Sequence, residues 1–123
     1  MQFKNLFFLI SLIFFSTILF AQEKSVLFIG NSYTYSNEGV PTALKKIAES
    51  LGEEVNTEMI APGGYRFSNH CTNQATLDLI NSRNWDYVVL QEQSQYPSFP
   101  PDQVENEVYP YAASLCNTIR QND

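Results

Sequence analysis

The sequence of 123 residues has few of the residues that bind metals or cofactors. It contains two cysteines and one histidine, without the spacing of a zinc site, and no acidic cluster that resembles a calcium loop. No Gly-x-Gly-x-x-Gly or Walker pattern follows the first predicted strand, which argues against a flavodoxin-like nucleotide binder. The sequence therefore predicts neither a metal nor a cofactor.

Basic residues are also scarce. Seven Lys and Arg stand against 13 Asp and Glu, so the formal net charge is −6 at pH 7. An acidic surface repels polyanions, and this excludes nucleic acid as an expected partner.

The two cysteines, Cys71 and Cys116, fall at different heights on two helices that share a face if the strand order is 2-1-3. Their Cα atoms then lie beyond the ~7 Å that a disulfide can span, so we expect free thiols.

The first segment has the layout of a secretory signal peptide rather than of a domain. After a short cationic start, Leu6 to Phe20 is almost uninterrupted Leu, Ile and Phe, and Ala21 precedes a polar stretch. This run is short for the roughly 20 residues of a membrane-spanning helix. We expect residues 1–21 to be removed, leaving a secreted or periplasmic domain over residues 22–123 without stable membrane insertion. An uncleaved anchor is the alternative, because Leu19 occupies a position that favours a small residue.

Three apolar runs alternate with helical patterns along the rest of the chain. The runs predicted as strands are Ser25–Ile29, Glu54–Ile60 and Trp85–Leu90. The segments predicted as helices are Val40–Leu51, Ser68–Ser82 and Asp102–Arg120, the last with a kink or a new start at Pro110. This alternation predicts an α/β fold with a parallel sheet built from right-handed crossovers.

A polar or glycine-rich segment follows each predicted strand. These three exits are Gly30-Asn-Ser32, Gly63-Gly64 and Gln91 to Gln95. Because the carboxyl ends of parallel strands meet at one edge of a sheet, we expect the exits to form one site. For the first exit alone, an ordinary Gly-Asn turn after a strand is an equally good interpretation.

The order of these segments resembles a known family. Val26-Leu-Phe-Ile-Gly-Asn-Ser32 is similar to the first block of the SGNH hydrolases, the GDSL-like esterase and lipase superfamily. That superfamily has a glycine after its second strand, where Gly64 or Gly63 stands here. It has a Gly-x-Asn-Asp block after its third strand, where Asp86 to Ser94 stands. The resemblance covers Ser25 to about Gln95 and implies a three-layer, flavodoxin-like fold, of which residues 22–123 form the N-terminal part.

The chemistry implied by the resemblance is ester hydrolysis through an acyl-serine, with Ser32 as the nucleophile. Carried over by position, the donors to the oxyanion are the Ser32 N–H, the Gly64 N–H and the side chain of Gln93, which replaces the family's asparagine. Gln91 is an alternative amide donor. The residues expected around the substrate are Asn31, Gly63 and Gln91. The expected substrate is a small or carbohydrate-borne ester.

The family's general base is a histidine in a late Asp-x-x-His motif, which this sequence does not contain. A serine without an adjacent base is a weak nucleophile, so we expect little activity and interpret the fold as truncated after three strands. The one histidine, His70, either pairs with Ser32 or is an exposed or hydrogen-bonded residue without a catalytic role, the commoner case. Whether the chain is an enzyme therefore stays open. A non-catalytic secreted module that binds a glycan or peptide on the same fold is the alternative.

Overall fold

A computed structural model describes residues 23–122, so the predicted signal peptide lies outside the described residues. The three strands are β1 (Lys24–Ile29), β2 (Val55–Ile60) and β3 (Tyr87–Leu90). The helices are α1 (Ser32–Tyr35), α2 (Val40–Ser50), α3 (Phe67–His70), α4 (Gln74–Ile80), α5 (Pro101–Glu107) and α6 (Tyr109–Arg120), with a 3₁₀ turn at Tyr96–Ser98. All strand pairs are parallel, in the order β2-β1-β3. The parallel α/β sheet confirms what the alternation of strands and helices predicts, and it is consistent with the flavodoxin-like arrangement that the resemblance implies.

The central strand β1 is buried along nearly its whole length, from Ser25 to Ile29. Leu27 and Ile29 are fully buried and belong to one hydrophobic cluster with Ile80 of α4 and Leu115 of α6. The residues that alternate with them, Val26 and Phe28, are also buried and point to the opposite face of the sheet. A strand covered on both faces needs a continuous apolar run, and this explains why β1 shows no alternation of polar and apolar residues.

A carboxylate clasp holds β1 and β3 together at their amino ends. One oxygen of Asp86 accepts hydrogen bonds from the Ser25 N–H (2.9 Å) and hydroxyl (2.8 Å), and the other accepts one from the Lys24 ammonium (2.7 Å). These donors, the Lys24 ammonium first, hold the pKa of the Asp86 carboxyl well below its usual range. The Asp86 N–H donates to the Ser25 hydroxyl (3.1 Å), so the ladder of β3 begins at Tyr87 rather than at Trp85 as predicted.

The single helix predicted over Ser68–Ser82 is wrong, because the structure divides this segment into α3 and α4. The break falls after His70, and Asn73 caps the second helix: its Oδ1 accepts a hydrogen bond from the Thr76 N–H at 2.9 Å. Asparagine is a strong N-cap residue because its side chain competes with helical backbone bonding. The break makes His70 the last residue of α3.

The C-terminal segment has the interruption predicted at Pro110. Helix α5 ends at Glu107, and α6 begins at Tyr109 with the proline in its first turn, where its missing N–H costs no hydrogen bond.

Cys71 and Cys116 are free thiols. Within residues 23–122, no helix has both the length and the apolar character needed to cross a membrane.

Candidate active site

The three strand exits lie against one another at the carboxyl edge of the sheet. At the end of β1, Gly30 is packed so closely that a Cβ atom built on it lies 2.2 Å from Thr34 Oγ1 and 2.7 Å from Gln91 Oε1. The Asn31 side chain donates to the Tyr65 carbonyl, just after the Gly63-Gly64 pair, at 2.9 Å. The predicted convergence of the exits is thus visible as direct contacts from Gly30 and Asn31 to the segments that follow β2 and β3.

Asn31 is a buried residue that organises the first exit, since only 1% of its surface is exposed. Its Oδ1 accepts a hydrogen bond from the Tyr33 N–H at 3.1 Å and so caps α1, and its Nδ2 donates to the Tyr65 carbonyl. Both polar atoms of its side chain therefore have partners inside the protein. The role that this geometry gives Asn31 is to hold the loop, with Ser32 following it as the first residue of α1.

The amide of Gln91 also points into the protein. Its Oε1 accepts hydrogen bonds from the Asn31 N–H (3.0 Å) and the Thr34 hydroxyl (2.9 Å), and its Nε2 donates to the Glu92 carbonyl. Gln93 is placed differently: its Oε1 accepts from the Gln95 N–H at 2.8 Å, and its Nε2 has no partner among the described residues. Of the two glutamines, Gln93 is thus the one with a free amide donor.

Ser32 and Gly64 are the more open members of the predicted site. Ser32 is partly exposed, and its hydroxyl makes no hydrogen bond within residues 23–122, whereas its carbonyl accepts from the N–H (2.9 Å) and the hydroxyl (2.6 Å) of Ser36. Gly64 is exposed and has φ of +74°, a left-handed conformation that favours glycine. Gly63 is exposed as well, and a Cβ on it comes within 3.4 Å of the Tyr35 hydroxyl.

His70 forms its side-chain hydrogen bonds with Gly30 and Thr76, and not with the Ser32 hydroxyl. Its side chain is fully buried, with Nε2 at 2.8 Å from the Gly30 carbonyl oxygen and Nδ1 at 2.9 Å from Thr76 Oγ1. A carbonyl only accepts, so Nε2 carries the proton, and in the neutral ring Nδ1 is an acceptor. The Thr76 hydroxyl has two acceptors in reach, this Nδ1 at 2.9 Å and Asn73 Oδ1 at 3.2 Å. Both nitrogens are occupied. Of the two interpretations of His70, the geometry supports the hydrogen-bonded structural residue.

A buried carboxylate, Glu92, is the part of this region that the sequence pattern did not indicate. It is 8% exposed, and both of its oxygens accept from the Phe67 N–H at the start of α3, at 3.1 and 3.2 Å. Its Oε1 also accepts from the Gln93 N–H at 2.6 Å. A carboxylate at a helix start satisfies backbone donors that have no intrahelical acceptor. Its position between two glutamines is the one signal that it belongs to the exit of β3.

No group of three or more His, Cys, Asp and Glu side chains clusters within the described part of the chain as a metal site would require. An open depression of about 250 Å³ lies at the amino ends of the strands, away from Ser32. Its lining residues are Glu23, Lys45, Glu49, Glu54 and Val55. The depression is therefore separate from the edge where the strand exits meet.

The buried histidine leads to a prediction about stability and pH. Burial lowers the pKa of His70 below its ordinary value of 6.5, against the smaller raising effect of its bond to the Gly30 carbonyl. The unfolded chain takes up a proton near pH 6.5 and the folded chain resists it, so the free energy of unfolding falls as pH drops from about 6.5 toward the lower folded value. We expect urea unfolding to show less stability at pH 5.5 than at pH 7.5.

The matched control for this prediction is His70→Gln, which has no group that titrates in this range. Its stability is expected to change less between pH 7.5 and pH 5.5 than that of the unmodified protein. Asp86 does not contribute to the difference between pH 7.5 and pH 5.5. Its pKa is lowered in the folded state, so its stabilising effect is lost only as pH falls below its ordinary value of 3.8. Equal pH dependence of the two proteins would contradict the assignment to His70.

Comparison with known proteins adds no relative to this picture. No protein-family model, no curated protein and no solved structure matches the chain.

Proposed function

We propose that this chain contains the nucleophile-bearing part of an exported serine esterase of the SGNH type, acting on small or carbohydrate-borne esters. The observation that carries the proposal is the position of Ser32. It is the third residue after the buried central strand and directly follows the buried Asn31, at the edge where the exits of all three strands are in contact. Open α/β sheets bind their ligands at this edge.

The open hydroxyl of Ser32 suits nucleophilic attack on an ester carbonyl. Attack produces a negatively charged oxygen that needs convergent donors. The Ser32 N–H is in the first turn of α1, where backbone N–H groups have no intrahelical acceptor. Gly64 N–H and the Gln93 amide are the other candidates, and Gln93 is preferred because the Gln91 amide is bound inside the protein. Each such donor is worth about 10²–10³ in rate.

The reaction needs a base that His70 does not supply. In the proposed step, the Ser32 hydroxyl loses its proton to the base, its oxygen bonds to the acyl carbon, and the alcohol leaves with a proton from the same base. Water then attacks the acyl carbon and gives its proton to the base. The acid is released as the Ser32 oxygen takes a proton back from the base. His70 is the single histidine of the sequence, and both of its ring nitrogens are hydrogen-bonded. We therefore expect residues 22–123 alone to have little or no esterase activity.

The test is hydrolysis of p-nitrophenyl acetate by the complete product of the gene. We expect Ser32→Ala to lower kcat/KM by at least about 10³-fold, since nucleophile losses in serine hydrolases are of this size or larger. The matched control is Ser50→Ala at the end of α2, where the hydroxyl donates to the Ile47 carbonyl at 2.7 Å and is remote from the edge. Its activity is expected to be unchanged.

Two results would overturn the proposal: an active complete protein in which Ser32→Ala has no effect, or a complete protein that neither hydrolyses the ester nor reacts with a fluorophosphonate at Ser32. The second result would favour the binding module. The observation in favour of that alternative is the exposure of Tyr33 and Tyr35, 65% and 46%, beside Ser32. Exposed tyrosine rings suit stacking on a sugar, and glycan binding that survives Ser32→Ala but not Tyr33→Ala would support it.

A further inference from the structure

The peptide unit between Gly30 and Asn31 is bound at both of its polar atoms by side chains from distant elements. Its carbonyl oxygen accepts from His70 Nε2–H at 2.8 Å, and its N–H donates to Gln91 Oε1 at 3.0 Å. The strand ladder has ended at this point: its last bonds run from the Gly30 N–H to the Ile60 carbonyl and from the Gln91 N–H to the Ile29 carbonyl. Side chains therefore take over from the sheet in fixing the backbone that leads into Ser32.

We call the His70 and Gln91 side chains that bind this peptide the clamp. On its first side, the His70 ring is held by several neighbours. The ring is fully buried, Thr76 Oγ1 binds its second nitrogen at 2.9 Å, and the edge of the ring meets Tyr65 with centroids 5.2 Å apart. Three neighbours thus define the plane of the imidazole and the direction of its Nε2–H. Burial lowers the pKa of His70, which favours the neutral ring, in which Nε2 donates and Nδ1 accepts.

The Gln91 side of the clamp reaches the helix that carries Ser32. Gln91 Oε1 accepts from the buried Thr34 hydroxyl as well as from the Asn31 N–H, and the backbone of Gln91 is fixed by its bond to the Ile29 carbonyl. Thr34 belongs to α1, two residues after Ser32. His70 and Gln91 therefore bind the Gly30–Asn31 peptide, and Gln91 also binds Thr34 in the helical turn that begins at Ser32.

We propose that His70 is a positioning residue for Ser32: its Nε2–H fixes the Gly30–Asn31 peptide plane and thereby the direction of the Ser32 hydroxyl and N–H. The inference rests on the proposed function of Ser32. His70 touches neither the substrate nor the reacting atoms. Since a misplacement of about 1 Å at a reacting group costs up to about 10² in rate, loss of the donor is expected to affect turnover.

The experiment compares His70→Leu with His70→Gln in the complete gene product. Leucine has similar bulk but no donor, whereas the glutamine side-chain amide places an N–H near the position of Nε2. With p-nitrophenyl acetate we expect His70→Leu to lower kcat by about 10- to 100-fold with little change in KM, and His70→Gln to recover most of the loss. Unchanged kcat in His70→Leu, or equal losses in the two variants, would overturn the proposal.

The same pair of variants separates positioning from catalysis. If His70 were the general base, glutamine could not replace it, and both variants would fall to the level of Ser32→Ala. If instead Ser32→Ala does not slow hydrolysis, it is the proposed function that fails. If Ser32→Ala abolishes hydrolysis while His70→Leu does not slow it, the positioning role alone fails.

Two measurements keep the result independent of folding. Urea unfolding identifies variants that are folded under the assay conditions; if His70→Leu is not, Thr76→Val takes its place, because it removes the hydroxyl that orients the ring and is expected to slow turnover in the same direction. Nitrogen NMR of the unmodified protein is expected to find the His70 proton on Nε2. A proton on Nδ1 alone would contradict the clamp.

Discussion

Gly30→Ala is expected to lower the free energy of unfolding by about 3 kcal/mol, the upper part of the range for overpacked sites. A Cβ atom on Gly30 lies 2.2 Å from Thr34 Oγ1 and 2.7 Å from Gln91 Oε1, distances at which something must move. Neither neighbour moves freely. Thr34 is buried and β-branched, and Gln91 Oε1 is bound by the Asn31 N–H. Relief of the clash therefore breaks the hydrogen bonds that hold the first strand exit.

Gly63→Ala is the matched control for this substitution. Gly63 is exposed, its φ is not left-handed, and its nearest contact for a Cβ is the Tyr35 hydroxyl at 3.4 Å, an ordinary van der Waals distance. Its stability is expected to stay within about 0.5 kcal/mol of the unmodified protein. Urea unfolding of both variants measures the difference. Equal stabilities would show that the close packing around Gly30 is not rigid.

The second large effect is expected at the centre of the sheet, where Leu27→Ala should cost about 3–4 kcal/mol. Leu27 is fully buried in β1, paired with Glu58 of β2 on one side and Val88 of β3 on the other. Strands flank it on both sides and helices cover its face of the sheet. A cavity at this position cannot be filled by movement of a surface loop, and the lost apolar contacts stay lost.

Leu51→Ala provides the same chemical change on the surface. Leu51 follows α2 and is 74% exposed, so its truncation should change the free energy of unfolding by less than about 0.5 kcal/mol. The comparison requires equal m-values, since a change in m would indicate an altered denatured state. A loss below about 1 kcal/mol for Leu27→Ala would mean that the core around β1 repacks.

The fold was the more predictable part of this molecule because its signals are local. The apolar run of β1, the repeat of apolar residues in α2 and the glycines after the strands each identify an element without reference to distant residues. The sequence pattern does not indicate the break after His70 because the signal is a single cap: the Asn73 side chain accepts from the Thr76 N–H and starts a second helix there. The start of β3 was misplaced for a similar reason, since Asp86 bonds to Ser25 instead of extending the ladder.

The candidate site was predictable in its location but not in its internal assignments. Parallel topology alone brings Asn31, Gly64 and Gln91 to one edge. Gln91 turns its amide into the protein, where Oε1 accepts from the Thr34 hydroxyl, 57 residues earlier, and Nε2 donates to the Glu92 carbonyl. No local pattern records the contact with Thr34. The role of His70 likewise depends on burial against the Gly30 carbonyl, which requires the short helix α3 to end where it does.

The contacts that hold the Gly30–Asn31 peptide also bear on the order in which the molecule folds. The peptide itself is joined to His70 and Gln91, 40 and 60 residues away in the sequence, and the Asn31 side chain is joined to Tyr65, 34 residues away. Such contacts stabilise the chain only after long loops have closed, and closing them costs conformational entropy. The segment around Ser32 is therefore expected to be disordered in the folding transition state and to become ordered only when β2 and β3 have docked on β1. Substitutions there should accelerate unfolding more than they slow folding.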